Sequence, residues 1–140
     1  MTSQATSQND TPLEINPDVA RAIVALRIAT LIDVRQPIEL ELEGTVEAAE
    51  SIPLFDLKKL LGHVLTETEQ EILDSDAPTP KDARFFLSMI NKYHYQKGNV
   101  LLCICNSGMR SLHATQLLRS MGYDRAFSVT GGVRAWREGR

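Results

Sequence analysis

The chain has 140 residues, the length of one ordinary domain, and 43% of them are hydrophobic, enough for a single core. No apolar run approaches the roughly 20 residues a membrane helix needs, and residues 1–11, rich in Ser, Gln, Thr and Asn, have neither the basic start nor the apolar middle of a signal peptide. A net charge of −3 argues against a general nucleic-acid binder, yet the charge is uneven: residues 105–140 carry +4 and the first 104 carry −7.

Residues 1–12 are expected to be a disordered tail and 13–140 one domain. Residues 13–15 form a short edge strand. Asn16 caps a helix whose first turn holds Pro17, and Val19, Ala22, Ile23 and Leu26 recur at helical spacing. Residues 29–34, short, apolar and β-branched, predict a buried parallel strand, and 51–54 a shorter second one or its exit. Residues 56–61 suggest a helical turn or two. Thr66 with Glu69 makes a capping box before Ile72 and Leu73, inside a helical insertion expected around 62–80. After the breaker at 74–80, Thr79 caps and Pro80 starts a helix with Ala83, Phe86, Leu87 and Ile90 on its apolar face. Residues 99–105 are the strongest strand. Ser107-Gly108 turns it into a helix over 110–121, with Leu112, Thr115, Leu117 and Leu118 facing inward and Gly122 closing it. A last strand at 126–129 passes through Gly131-Gly132 into a helix holding Val133 and Trp136. Strands alternating with helices predict an α/β fold, a parallel sheet of about five short strands with helices on both faces.

The loop after the strongest strand is where chemistry is expected, because ligands of parallel sheets sit beyond the carboxyl ends of the strands. Cys105 ends that strand and a helix starts about five residues later. Unpaired amides and the helix dipole make an anion site there, which favours the thiolate. Gly108 lets successive amides converge, Arg110 adds a fixed positive charge, and Ser111 offers another donor. Cys103, two places earlier on the same face, reads as core packing. The C-x-C pair has no companion ligand cluster, so no metal is expected there. With no targeting segment the chain reads as cytoplasmic, where reducing conditions keep both thiols free.

"CNSGMRS" resembles the active-site loop of the rhodanese family of sulfurtransferases, whose common form is C-x-S-G-x-R-S. "LIDVRQPIELELEGTVEAAESIPL" is similar to that family's D-V-R-x-P-x-E, G-H-I-x-G-A and I-P run, and "VTGGVRAW" to its G-G-x-x-A-W. Thr45 and Glu47-Ala48 depart from the usual His and Pro-Gly, which bears on loop shape. The stretch from 55 to 98 is longer than a minimal member carries.

The resemblance implies a thiosulfate-type sulfurtransferase. Cys105 is its nucleophile, and Asn106, Ser107, Gly108, Met109, Arg110 and Ser111 form the substrate-binding loop. In that family a C-x4-R loop, as here, suits one sulfur atom, whereas C-x5-R suits phosphate; a phosphatase or arsenate reductase is therefore the less favoured alternative, and a non-catalytic binding module the other. The implied partners are a small anionic sulfur donor and a thiol or protein acceptor, with no nucleic acid and no membrane, and the resemblance implies that no organic cofactor is needed. Asp33 and Arg35, at the site end of the first long strand, are expected to serve structure, Arg35 by pairing with Glu39. Met109 at the loop tip is expected to shape acceptor access. His113 has no required role.

Overall fold

The computed structural model describes residues 12–55, 66–68, 70–71 and 77–139. Among the described residues five strands form: β1 (Glu14–Ile15), β2 (Ala29–Asp33), β3 (Ala49–Ser51), β4 (Val100–Ile104) and β5 (Ala126–Val129). All pairings are parallel, in the order β1-β5-β4-β2-β3. The helices are α1 (Pro17–Ala25), α2 (Pro37–Glu43), α3 (Pro80–Lys92), α4 (Met109–Ser120) and α5 (Gly132–Glu138). Capping chemistry opens three of them. Asn16 accepts from the amides of Asp18 and Val19 ahead of α1, and Gln36 with Glu39 and Thr79 with Asp82 box α2 and α3, each with a proline in the first turn.

Side chains alternate across a strand, so each strand feeds two cores. Ile32, Leu101, Cys103 and Ala126 face Phe86 and Ile90 of α3 and Ala114 and Leu118 of α4. Leu31, Leu102, Ile104 and Val129 face Ala20 of α1 and Val133 and Trp136 of α5. A sheet buried on both faces needs near-continuous apolar strands, as "VLLCI" in β4 illustrates. The expected α/β architecture, a parallel sheet of five short strands with helices on both faces, is what forms.

Two details differ from expectation. Val19 and Leu26 are exposed, at 51% and 68%, and α1 packs through Ala20, Ile23 and Val24 instead. The small Ala20 side chain lets the helix approach closely, and Leu26 lies past the last turn as its C-cap. β3 starts at Ala49, ahead of the expected 51–54. Ile52 and Leu54 still donate to the carbonyls of Asp33 and Val34, but Pro53 has no N–H to continue the ladder. Residues 1–11 of the expected tail (1–12) and the helical turn at 56–61 lie outside the described residues, as does most of the expected insertion; of it, 67–68 and 70–71 are helical. Among the described residues no helix is long and apolar enough to cross a membrane.

Candidate active site

The chain leaves β2 for β3 and leaves β4 for β5, in opposite directions along the sheet. The crevice between the carboxyl ends of β2 and β4 is therefore the topological switch point, where open α/β sheets bind ligands. Arg35 and Gln36 follow β2 at that edge, and Cys105 follows β4.

Cys105 is buried, with 1% exposure. Its Sγ accepts from the Gly108 amide at 3.1 Å and the Ser111 amide at 3.3 Å, and lies 3.4 Å from the Ser111 hydroxyl. The local sequence explains this. Gly108 sits at the N-cap of α4 with φ of 107°, a left-handed conformation that favours glycine. It has no side chain to cap the helix, so the orphan amide of Ser111 in the first turn turns to the sulfur. Of the loop amides, those of Gly108 and Ser111 donate to Sγ. The Asn106 side chain is half-buried, Ser107 is exposed, and Met109 is 46% exposed at the loop tip.

Arg110 does not reach outward. Its Nη1 and Nη2 donate to the two Glu39 oxygens at 2.7 and 2.8 Å, with both side chains 1% exposed. The same carboxylate accepts from the Gln36 amide at 2.8 Å and the Asn106 side-chain amide at 3.0 Å. Burial works to raise the Glu39 carboxyl, and the Arg110 guanidinium, with the Gln36 amide, outweighs it and holds the group below the usual carboxylate range. One carboxylate thus ties the start of α2 to the loop after β4 and the first turn of α4. The expected pairing of Arg35 with Glu39 does not form. Arg35 is taken by Asp33, with Nε and Nη2 within 2.8–3.2 Å of its oxygens, and by Glu43 at 3.4 Å. The reason is geometric: Arg35 and Asp33 project to the same side of the strand end, while Glu39, in the first turn of α2, faces the loop. As an acid engaged with this loop, Glu39 is the residue that sequence reasoning missed, although it closes the D-V-R-x-P-x-E run and could have been found there.

The other wall is α5. Val133 N–H donates to the Cys105 carbonyl at 2.7 Å. A Cβ on Gly132, whose φ is +64°, would collide with the carbonyl oxygens of Cys105 and Asn106. The paired glycines are there because the loop backbone passes that close. Beside the loop lies a groove of about 600 Å³ whose lining includes Asn106, Ser107, Arg134 and Arg137 together with Glu43 and Glu138.

The deeper cysteine differs. Cys103 is fully buried; burial pushes its thiol up to about 12, against a smaller opposing effect from a hydrogen bond with Thr115. Trp136 is in the core.

Comparison with known proteins places these features. The chain matches the rhodanese-like domain family over residues 16–139. It is 30% identical over 118 residues to the human thiosulfate:glutathione sulfurtransferase, covering 84% of this chain and 87% of that one. To the Arabidopsis thaliana rhodanese-like domain-containing protein 11, chloroplastic, it is 29% identical over 126 residues, 86% of this chain but 42% of that protein's length. Among solved structures, the human single-domain sulfurtransferase TSTD1 superposes with a TM-score of 0.58 at 26% identity, covering 93% of this chain and 99% of that one.

Proposed function

The chain belongs to the rhodanese-like domain family, and from that premise we propose that it is a sulfurtransferase that carries sulfane sulfur on Cys105. The observation that carries the reading is the pair of backbone amides, Gly108 and Ser111, aimed at the Cys105 sulfur at the open end of the sheet. Donors fixed in that way stabilise negative charge on sulfur without reorganising during reaction.

In the proposed cycle the Cys105 thiolate attacks the outer sulfur of an anionic donor such as thiosulfate. The new S–S bond forms as the donor's own S–S bond breaks, and sulfite leaves with the electron pair. The terminal persulfide sulfur is then attacked by a thiolate acceptor, or by cyanide in an assay, and Cys105 departs as thiolate. This is covalent catalysis in two displacement steps. The human relative's name pairs thiosulfate with glutathione, which supports a small thiol as acceptor. The groove beside Asn106 and Ser107 is lined by Arg134 and Arg137 as well as by Glu43 and Glu138, and its two arginines are the contacts it offers an anion.

Arg110 acts in this reading as a clamp on the loop. That also supports sulfur over phosphate: a phosphoryl group would call for a guanidinium facing it, and both terminal nitrogens of Arg110 face Glu39. Met109, exposed at the tip, borders the acceptor's route. Two relatives carry a chloroplastic address.

The test is a mass spectrum of the chain after incubation with thiosulfate, then with polysulfide. The reading expects the peptide holding Cys105 to gain one sulfur atom, lost on adding cyanide and never gained by Cys105→Ser. No gain from either donor would refute it, and hydrolysis of an aryl phosphate would put phosphatase chemistry in its place.

A further inference from the structure

Behind the reactive sulfur lies a buried hydroxyl with no part in the cycle above. Ser128, in the middle of β5, is fully buried on the strand face that holds Ala126 in the apolar core. A hydroxyl there must find partners. Its Oγ lies 2.7 Å from the Ser111 Oγ, and the Ser111 Oγ lies 3.4 Å from Cys105 Sγ. We propose that Ser128 is a positioning residue, which fixes the direction of the Ser111 hydroxyl so that its single proton points at the anionic Cys105 sulfur.

Donor counting carries the inference. Each serine has one proton to give. Ser111 has three acceptors in reach: Cys105 Sγ, the Gly108 carbonyl at 3.2 Å and Ser128 Oγ. Ser128 has two, Ser111 Oγ at 2.7 Å and the Gly108 carbonyl at the long distance of 3.5 Å. The Gly108 carbonyl already accepts from the Leu112 amide at 3.3 Å. The short contact makes Ser111 the better target for the Ser128 proton. Once Ser128 donates to Ser111, Ser111 can no longer donate to Ser128, and of its two remaining acceptors the anionic sulfur outcompetes the neutral Gly108 carbonyl. With Cys105 protonated the chain runs the other way: the thiol donates to Ser111, Ser111 to Ser128, and Ser128 to the Gly108 carbonyl. Two hydroxyl rotations, with no movement of heavy atoms, switch the sulfur's neighbour from acceptor to donor. A strand outside the loop therefore sets how well the loop holds a negative sulfur.

The inference rests on Cys105 being the nucleophile of the proposed function, and its test separates the two. The rate of Cys105 alkylation by iodoacetamide, localised by peptide fragmentation, requires no sulfur transfer. Ser111→Ala should slow it by about tenfold, the worth of one hydrogen bond to a charged atom. Ser128→Ala should slow it roughly threefold to tenfold, moving the pH profile of alkylation toward the alkaline side. In the Ser111→Ala background Ser128→Ala should change nothing further, because the hydroxyl it directs is gone. Ser128→Thr should react like the wild type and Ser128→Val, of the same shape, like Ser128→Ala; this pair also decides the matter if alanine unfolds the chain. Additive losses, or equal rates for the Thr and Val variants, overturn the relay even if Cys105 takes up sulfur. Normal coupling with no sulfur uptake overturns the proposed function instead.

Discussion

Glu39→Gln tests the clamp most directly. The wild-type carboxylate and the Arg110 guanidinium are both 1% exposed and meet through two bonds of 2.7 and 2.8 Å. Glutamine keeps the shape but removes the charge, and it presents an NH2 to a guanidinium that can only donate. Arg110 is left as a buried cation without its counter-charge, which costs about 3–5 kcal/mol. A domain's whole stability is about 5–15 kcal/mol, so urea unfolding followed by circular dichroism should show a large fall in midpoint. The pH dependence has a definite sign. Glu39 titrates below the usual carboxylate value of 4.5 in the folded chain, so its contribution is complete above that value and disappears as pH falls through the lowered folded one. The deficit of Glu39→Gln relative to wild type should therefore shrink in acid. Glu39→Gln combined with Arg110→Met, which strands no charge, should recover much of the loss. A deficit under about 1 kcal/mol, the range of a solvated pair, or one that stays constant in acid, would refute the clamp.

Three further outcomes are expected. Gly132→Ala should sharply reduce thiosulfate:cyanide turnover, because its Cβ would drive into the Cys105 and Asn106 carbonyls; Gly98→Ala, where a Cβ meets nothing within 4 Å, serves as control and should leave turnover intact. Ala48→Gly should raise the stability measured by urea unfolding by up to about 1 kcal/mol, since Ala48 holds a left-handed φ of 71° that costs an L side chain roughly that much; an unchanged or lower stability would show the strain is absent. Burial pushes the Cys103 thiol up to about 12, so iodoacetamide at mildly alkaline pH should label Cys105 in the folded chain and reach Cys103 only after unfolding; equal labelling of the two would contradict this.

Much of the fold could be read from residues because its signals are local. The apolar runs of β2, β4 and β5, the caps at Asn16 and Thr79, and the glycine turns at 108 and 131–132 each act within a few residues, and each element forms near its expected place. What could not be read was which charge meets which. The spacing of Arg35 and Glu39 looks like an ion pair, and so does that of Arg35 and Asp33. Only the direction in which α2 departs from β2 sends Arg35 back to Asp33 and turns Glu39 toward Arg110, which is 71 residues away in sequence. Ser128 is harder still. Nothing in "AFSV" links a serine on β5 to a cysteine on β4, and the strand register that brings Cys103 opposite Ser128 is a property of the assembled sheet.

The same long-range contacts explain how so short a loop can keep its amides on one point. A glycine-containing turn is soft by itself. Here its carbonyl at Cys105 is pinned by the Val133 amide of α5, its Asn106 side chain and its first helical turn at Arg110 are both held by Glu39 of α2, and Ser111 at its far end meets Ser128 of β5. Three separate elements therefore fix the direction of donors that converge on one sulfur atom, and a functional site held by a rigid second layer keeps its geometry through each turnover. It follows that substitutions at Glu39, Gly132 and Ser128 should alter the behaviour of Cys105 more than substitutions at the exposed Ser107 or Met109, although only the latter two lie at the loop's surface.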